Sequence, residues 1–237
     1  MTRNVTPTAK IAPPPLWKAA GEMRVFLNIG KSALSRRRPR RRGQGQPVLV
    51  VPGFGTSDVA TVLLRGYLDA AGFDVHTWDL GINRGPRGDV MRRLSSRVRS
   101  IARKTRQRVR IVGWSLGGLM ARVIAGRIPQ HVGRVVTLGS PLTADPASSH
   151  LSRIYGWFGG DSLQGRAVQT MLRDGARAPV TSIFSRNDGV VAWQACAEAA
   201  GSCRSLEVDA THLGLIVDPD ILEIVSREVA RAPEAAA

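Results

Sequence analysis

Val109-Arg110-Ile111-Val112-Gly113-Trp114-Ser115-Leu116-Gly117-Gly118 is the stretch that decides the fold. It begins as a short apolar-rich run with Arg110 inside it, turns at a serine set between glycines, and opens into the apolar segment Leu119–Ile128. A short apolar run bounded by glycines reads as a buried strand, and the longer periodic segment reads as a helix. A strand that turns sharply into a helix forces the residue at the turn into strained backbone angles, so the side chains at 113 and 117 must nearly vanish. The turn would hold the Ser115 hydroxyl above the sheet, with the backbone N–H of Leu116 and the positive helix end beneath it. Ser115 is therefore a candidate nucleophile; a purely structural turn is the plain alternative.

The same alternation continues on both sides. Upstream, Pro47–Val51 reads as a buried strand, Asp58–Ala71 as a helix with Val59, Val62, Leu63, Tyr67 and Leu68 near one face, and Val75–Leu80 as a strand. Gly88–Thr105 reads as a helix whose Val90, Met91, Leu94, Val98 and Ile101 face inward, while its other faces are densely basic. Downstream, strands are expected at Val135–Gly139, Val180–Ser185 and Ser205–Val208, and a closing helix at Ile221–Ala230. Strands alternating with helices imply an α/β fold, a mostly parallel sheet flanked by helices. Continuous apolar strands agree, because parallel strands are buried on both sides. The expected organisation is a basic arm over residues 1–46 and one catalytic domain over 47–237.

Val48-Leu49-Val50-Val51-Pro52-Gly53-Phe54-Gly55, followed by the Ser115 turn, resembles the bacterial lipase and esterase branch of the α/β-hydrolase superfamily. The resemblance covers about residues 47–231. It implies that the loop after the first strand supplies a second oxyanion donor, here the backbone N–H of Phe54 beside that of Leu116. Pro-Gly-Phe stands where true lipases commonly have His-Gly, which weakens a narrow lipase assignment. On its own, Pro52–Gly55 reads equally as an ordinary strand-ending turn.

A serine hydroxyl is a poor nucleophile until a base takes its proton, and this fold sets the chain order serine, acid, histidine. Of four histidines, His76 and His131 lie upstream of any suitable acid, and His150 comes too early. His212, just past the last strand, is the expected base. Asp188, at the end of the strand Val180–Ser185 and before Gly189-Val190-Val191, is the expected acid, as an Asp before Gly and an apolar pair is in the family. Asp209, three residues from His212, is its rival. A triad of this kind needs no cofactor, and the sequence contains no metal cluster, phosphate loop or dinucleotide fingerprint.

Ser140–Pro179 is too long for a plain connection. The resemblance makes the insertion, about residues 141–179, a cap over the site, with Trp157 and Phe158 sheltering an acyl chain; a packed surface subdomain is the alternative. Trp114, beside the serine, would line or support the pocket, and Trp193 reads as core. Cys196 and Cys203 fit neither a redox nor a zinc pattern. They read as reduced, although some secreted lipases bridge the loop that presents the acid.

The chain has 237 residues and a net charge of +16, unevenly placed. Residues 1–46 carry eleven Lys/Arg against one acid, Glu22, centred on Arg36-Arg37-Arg38-Pro39-Arg40-Arg41-Arg42. Such a block repels itself and stays solvated. It reads first as a basic linker and otherwise as an attachment to an anionic membrane surface. Nucleic acid is disfavoured, because no aromatic residues interleave the arginines. Residues 14–35 carry an amphipathic helical pattern. No secretory signal or membrane span is seen, so the expected location is cytoplasmic, with peripheral membrane contact as the variant. The expected activity is hydrolysis of acyl or lipid carboxylic esters. Acyl transfer, thioester cleavage, or a silent scaffold that binds lipid or nucleic acid are the alternatives.

Overall fold

The structure is a computed structural model that describes residues 14–15, 39–141, 177–197 and 203–232. Among the described residues six strands form one sheet: β1 (Pro47–Val51), β2 (Asp74–His76), β3 (Val109–Trp114), β4 (Val132–Leu138), β5 (Val180–Ser185) and β6 (Cys203–Val208). Their spatial order is β2-β1-β3-β4-β5-β6, and every neighbouring pair is parallel. Among the described residues the α-helices are α1 (Val62–Ala70), α2 (Gly88–Thr105), α3 (Leu116–Arg127), the single turn α4 (Trp193–Cys196) and α5 (Pro219–Ala230).

Side chains alternate across each strand, so one strand feeds two cores. Leu49, Val51, Ile111 and Val135 pack with Met91, Leu94 and Val98 of α2 and with Leu119, Met120 and Val123 of α3. Val48, Val50, Val112 and Val136 pack on the other face with Leu64 and Leu68 of α1 and Ile221, Leu222 and Val225 of α5. The expected mostly parallel sheet with helices on both faces is present. Among the described residues, no helix is long and apolar enough to cross a membrane.

Three expectations are corrected. The segment Asp58–Ala71 is not one helix but a 3-10 turn, Asp58–Thr61, leading into α1. Four residues wound at three per turn advance the phase by roughly 80° relative to an α-helix. Leu64 and Leu68 consequently face the core, while Val59, Val62 and Leu63 are 79%, 55% and 39% exposed. β2 ends at His76 instead of Leu80, because the Asp58 carboxylate accepts the backbone N–H groups of Trp78 and Asp79 at 2.9 and 3.1 Å and diverts them from the sheet. β4 and β6 begin earlier than expected, at Val132 and Cys203.

Arg42 and Gly43, at the end of the arginine block, donate their backbone N–H groups to Ala71 at 3.0 and 2.8 Å, and the Arg42 guanidinium pairs with Glu223 of α5. The amphipathic segment 14–35, apart from Pro14 and Pro15, and residues 142–176 of the insertion lie outside the described residues.

Candidate active site

Ser115 sits between β3 and α3 with φ 54° and ψ −126°. Few non-glycine residues adopt such angles, and the strain is of order 1–3 kcal/mol. The surroundings impose it. The Ser115 N–H donates to the Leu138 carbonyl at 2.8 Å, and the Gly118 N–H donates back to the Ser115 carbonyl at 3.0 Å. A Cβ at Gly117 would stand 2.3 Å from the Val51 carbonyl oxygen, and one at Gly113 would stand 2.4 Å from the Gly118 Cα. The elbow closes only with glycine there. Leu116 opens α3, and its backbone N–H is among those that no helical carbonyl reaches.

Asp188 and His212 meet in the interior. The Asp188 Oδ1 accepts the N–H groups of Val190 and Val191, both at 2.8 Å, and Oδ2 lies 2.7 Å from His212 Nδ1. With the carboxylate ionised, this bond requires the proton on Nδ1 and leaves Nε2 with a lone pair. Asp188 is 3% exposed and His212 4%. Asp209 turns elsewhere, accepting from the Asn187 side-chain amide at 2.7 Å at the surface. Of the two carboxylates left open by the sequence, the structure joins Asp188 to the histidine.

Trp114 is buried and supports the histidine loop. Its indole N–H donates to the His212 carbonyl at 3.1 Å, and its ring lies 5.3 Å from the imidazole, tilted by 37°. Gly139, with φ 53°, faces the pair: a Cβ there would lie 2.8 Å from Asp188 Oδ2 and 3.0 Å from His212 Nδ1. Gly139 follows Leu138, which anchors the Ser115 N–H. The carboxyl end of β4 thus ties the elbow to the Asp–His pair.

The Pro52–Thr56 loop crosses the elbow on the other side. A Cβ at Gly53 would lie 2.9 Å from the Trp114 ring and 3.3 Å from the Ser115 Cβ. Phe54 is the next residue along this loop. The loop is pinned by Asn83, which is fully buried. The Asn83 side-chain amide donates to the Pro52 carbonyl at 2.7 Å, its oxygen accepts the Gly85 N–H at 2.9 Å, and its amide nitrogen is 3.5 Å from Met120 Sδ on α3. Its backbone adds two bonds of 2.8 Å, from the Gly55 N–H to the Asn83 carbonyl and from the Asn83 N–H to the Thr56 carbonyl. Sequence reading missed this residue. The available signal was a lone asparagine in Gly81-Ile82-Asn83-Arg84-Gly85-Pro86, a composition that favours side-chain to backbone bonding.

Both cysteines are free thiols. Burial, aided by the charge of Asp188, pushes the Cys196 thiol well up from its ordinary range. Trp193 is half-buried rather than core, lying between Phe184 and the Arg186 guanidinium, 4.3 Å over its ring. His76 pairs with Asp74 at the sheet edge, and His131 lies in the turn before β4. His150, Trp157 and Phe158 lie outside the described residues. Among the described residues there is no group of three or more His, Cys, Asp or Glu arranged to hold a metal.

An all-parallel sheet with helices on both faces, a glycine-flanked serine at a strand-to-helix elbow and a buried Asp–His pair beyond later strands define an α/β-hydrolase architecture. The family model for the alpha/beta hydrolase fold matches residues 46–176, more than half of the chain, and the chain belongs to that family. Among solved structures, it is similar to the monoacylglycerol lipase of Paleococcus ferrophilus, with 18% identity over 78% of this chain and 94% of that one and a TM-score of 0.53. It is likewise similar to a solved structure from the pair LipS and LipT, two metagenome-derived lipolytic enzymes (18% identity, 81% of this chain and 93% of that one covered, TM-score 0.57). A third is polyneuridine aldehyde esterase (14% identity, 79% and 100% covered, TM-score 0.56). At these identities the likeness is one of fold. The search of curated proteins finds no match.

Proposed function

We propose that this protein is a serine hydrolase that cleaves carboxylic esters of the acyl or lipid type. Ser115 is the nucleophile, His212 the base, Asp188 the acid that orients it, and the N–H groups of Leu116 and Phe54 the oxyanion donors. The observation that carries the reading is the buried 2.7 Å bond between Asp188 and His212, at the strand ends that also hold the strained Ser115.

In the first half-reaction, His212 Nε2 takes the Ser115 hydroxyl proton as the oxygen bonds to the ester carbonyl carbon. The carbonyl oxygen becomes an oxyanion and accepts hydrogen bonds from Leu116 and Phe54. The carbon–alkoxy bond then breaks, and the imidazolium returns its proton to the departing alcohol. Water, deprotonated by the same histidine, then adds to the acyl carbon, the bond from that carbon to Ser115 Oγ breaks to release the acid, and the imidazolium returns its proton to Ser115. Asp188 stays ionised throughout, fixing the tautomer and stabilising the imidazolium.

The test is hydrolysis of p-nitrophenyl acyl esters together with covalent labelling by a fluorophosphonate. Ser115→Ala should abolish labelling and lower kcat by ~10⁴-fold or more. Labelling that persists in this variant rejects Ser115, and an inert wild-type protein across an acyl-length series rejects the ester substrate class.

A further inference from the structure

We propose that the outer face of α2, together with the aliphatic side chains beside its N-terminal end, is a docking surface for a bilayer containing anionic lipid. This goes beyond the ester-hydrolase reading and does not depend on it. Residues 84–110 hold eleven Lys/Arg against one acid, Asp89, a net of +10. The rest of 47–237, with twelve Lys/Arg and sixteen acids, is net −4. The folded domain therefore owes its positive excess to this one segment.

On α2 the core stripe is Met91, Leu94, Val98 and Ile101, which leaves Arg92, Arg93, Arg99, Arg103 and Lys104 exposed. Among the described residues these five make no ion pair, and of the α2 cations only Arg97 meets a carboxylate, Asp79 at 3.5 Å. So many like charges along one helix repel one another, and an external anionic surface relieves that repulsion.

The same edge exposes aliphatic residues. Ile82 is 56% exposed, six residues before α2, and Val59 is 79% exposed. Hydrogen bonds tie the segment next to Val59 to α2. Asp58, next to Val59, holds the backbone of Trp78 and Asp79. The Thr77 carbonyl in turn accepts from the Arg97 guanidinium at 2.9 and 3.1 Å. An open groove lined by Leu80, Asp89, Arg92, Arg93 and Arg97 runs along the basic face itself. Aliphatic groups reaching into the acyl boundary beside cations at the head groups are what an interfacial surface requires. Nucleic acid fits less well, because residues 84–110 contain no aromatic residue to stack on bases and exposed aliphatics gain nothing from phosphates.

Sedimentation of the full chain with vesicles tests the surface. One set of vesicles is pure phosphatidylcholine and the other contains about a third phosphatidylserine. Three full-length variants are compared: Arg92→Ser/Arg93→Ser/Arg99→Ser, Val59→Ser/Ile82→Ser, and Arg36→Ser/Arg37→Ser/Arg38→Ser in the basic arm. Each cation at an anionic surface is worth about five-fold in binding, so the helix variant should bind phosphatidylserine vesicles roughly a hundred-fold more weakly. The aliphatic variant should also bind vesicles more weakly, with duplex DNA binding unchanged. All altered side chains on the folded domain are exposed, so melting temperatures should match the wild type. Because sedimentation needs no turnover, the result stands apart from whether the ester reading succeeds. The proposal is overturned if the helix variant sediments like the wild type while the arm variant does not. It is also overturned if pure phosphatidylcholine binds equally well, or if the aliphatic variant binds vesicles normally and duplex DNA competes all protein off them.

Discussion

Replacing Asn83 with alanine separates positioning from mere stability at the proposed oxyanion loop. The substitution leaves the Pro52 carbonyl without its 2.7 Å donor and the Gly85 N–H without its 2.9 Å acceptor, both in the interior. Each orphaned group costs about 1–3 kcal/mol, so the fold should lose roughly 2–6 kcal/mol, equivalent to ~5–20 °C in Tm for a domain of this size. The loop that carries Phe54 also loses the side-chain hydrogen bonds that tie it to the β2–α2 loop and bring it to α3. If the Phe54 N–H leaves the site, the loss equals that of one oxyanion donor, about 10²–10³-fold in kcat. KM for a short ester should change little, because the donor acts on charge that develops after binding. The control is Leu222→Ala, a buried residue of α5 that makes no hydrogen bond to the loop through its side chain and costs a similar ~2–5 kcal/mol through its cavity. Both variants are assayed with p-nitrophenyl butyrate well below their melting points. Asn83→Ala should lose kcat while Leu222→Ala keeps it. If the two variants lose stability alike and Asn83→Ala retains kcat within about threefold, the positioning role is refuted.

Three further outcomes follow from the site and its surroundings. Asp188→Asn should lower kcat by ~10⁴-fold through loss of the correct imidazole tautomer, whereas Asp209→Asn should stay within a few-fold of wild type; the reverse order in steady-state kinetics would exchange the acid. Gly139→Ala should cost activity and stability together, since φ is +53° and the new Cβ would stand 2.8 Å from Asp188 Oδ2; wild-type kcat in this variant would mean that β4 does not brace the pair. Burial raises the Glu223 pKa, but hydrogen bonds from Arg42 and Tyr67 and the charges of Arg42 and Arg40 outweigh it, so the net shift is downward. A depressed carboxyl stabilises the fold above its unfolded pKa of about 4.3 and loses that contribution as pH falls through the folded value. Glu223→Gln should therefore melt below wild type at pH 7, and the gap should close on acidification below about pH 4. Its partner Tyr67, pushed up to about 12 by burial and then by its bond to Glu223, behaves oppositely. Its contribution is complete below pH ~10 and is lost as pH rises through about 12. A melting difference that does not vary with pH would sever Glu223 from this role.

What the sequence made legible was whatever depends on local pattern. Continuous apolar runs gave the central strands, because a parallel strand must be apolar on both faces, and the glycines around Ser115 marked an elbow that admits nothing larger. The chain order expected of this fold pointed to His212 and to Asp188, with Asp209 as rival, as the base and acid proposed above. The misreadings arose where the backbone winding or a distant partner departed from what the local pattern implies. Val59 and Val62 looked inward on a single α-helical wheel, but a 3-10 start rotated them to solvent. Thr77–Leu80 looked like strand until Asp58, some twenty residues earlier in the chain, captured its backbone. Asn83 carries no periodic signal at all, since its function lies in contacts with Pro52 and Met120 that exist only after β1, β2 and β3 have assembled.

The strain at Ser115 explains why these distant contacts matter. Relaxing its φ to the ordinary region would rotate the Ser115 N–H away from the Leu138 carbonyl and lift Gly117 off the Val51 and Pro52 carbonyls, which its hydrogen-only side chain lets it approach. Both losses fall on the ends of β1 and β4. Those ends also hold the Pro52–Thr56 loop, through Asn83, and the Asp188–His212 pair, through Gly139. The elbow cannot relax without disturbing the elements proposed as its base and its oxyanion donor, so the order of 1–3 kcal/mol of backbone strain persists only while all of them are in place. A site built this way is held by the sheet rather than by any one loop, and β4, which contributes none of the proposed reacting side chains, becomes the strand whose carboxyl end tolerates the least change.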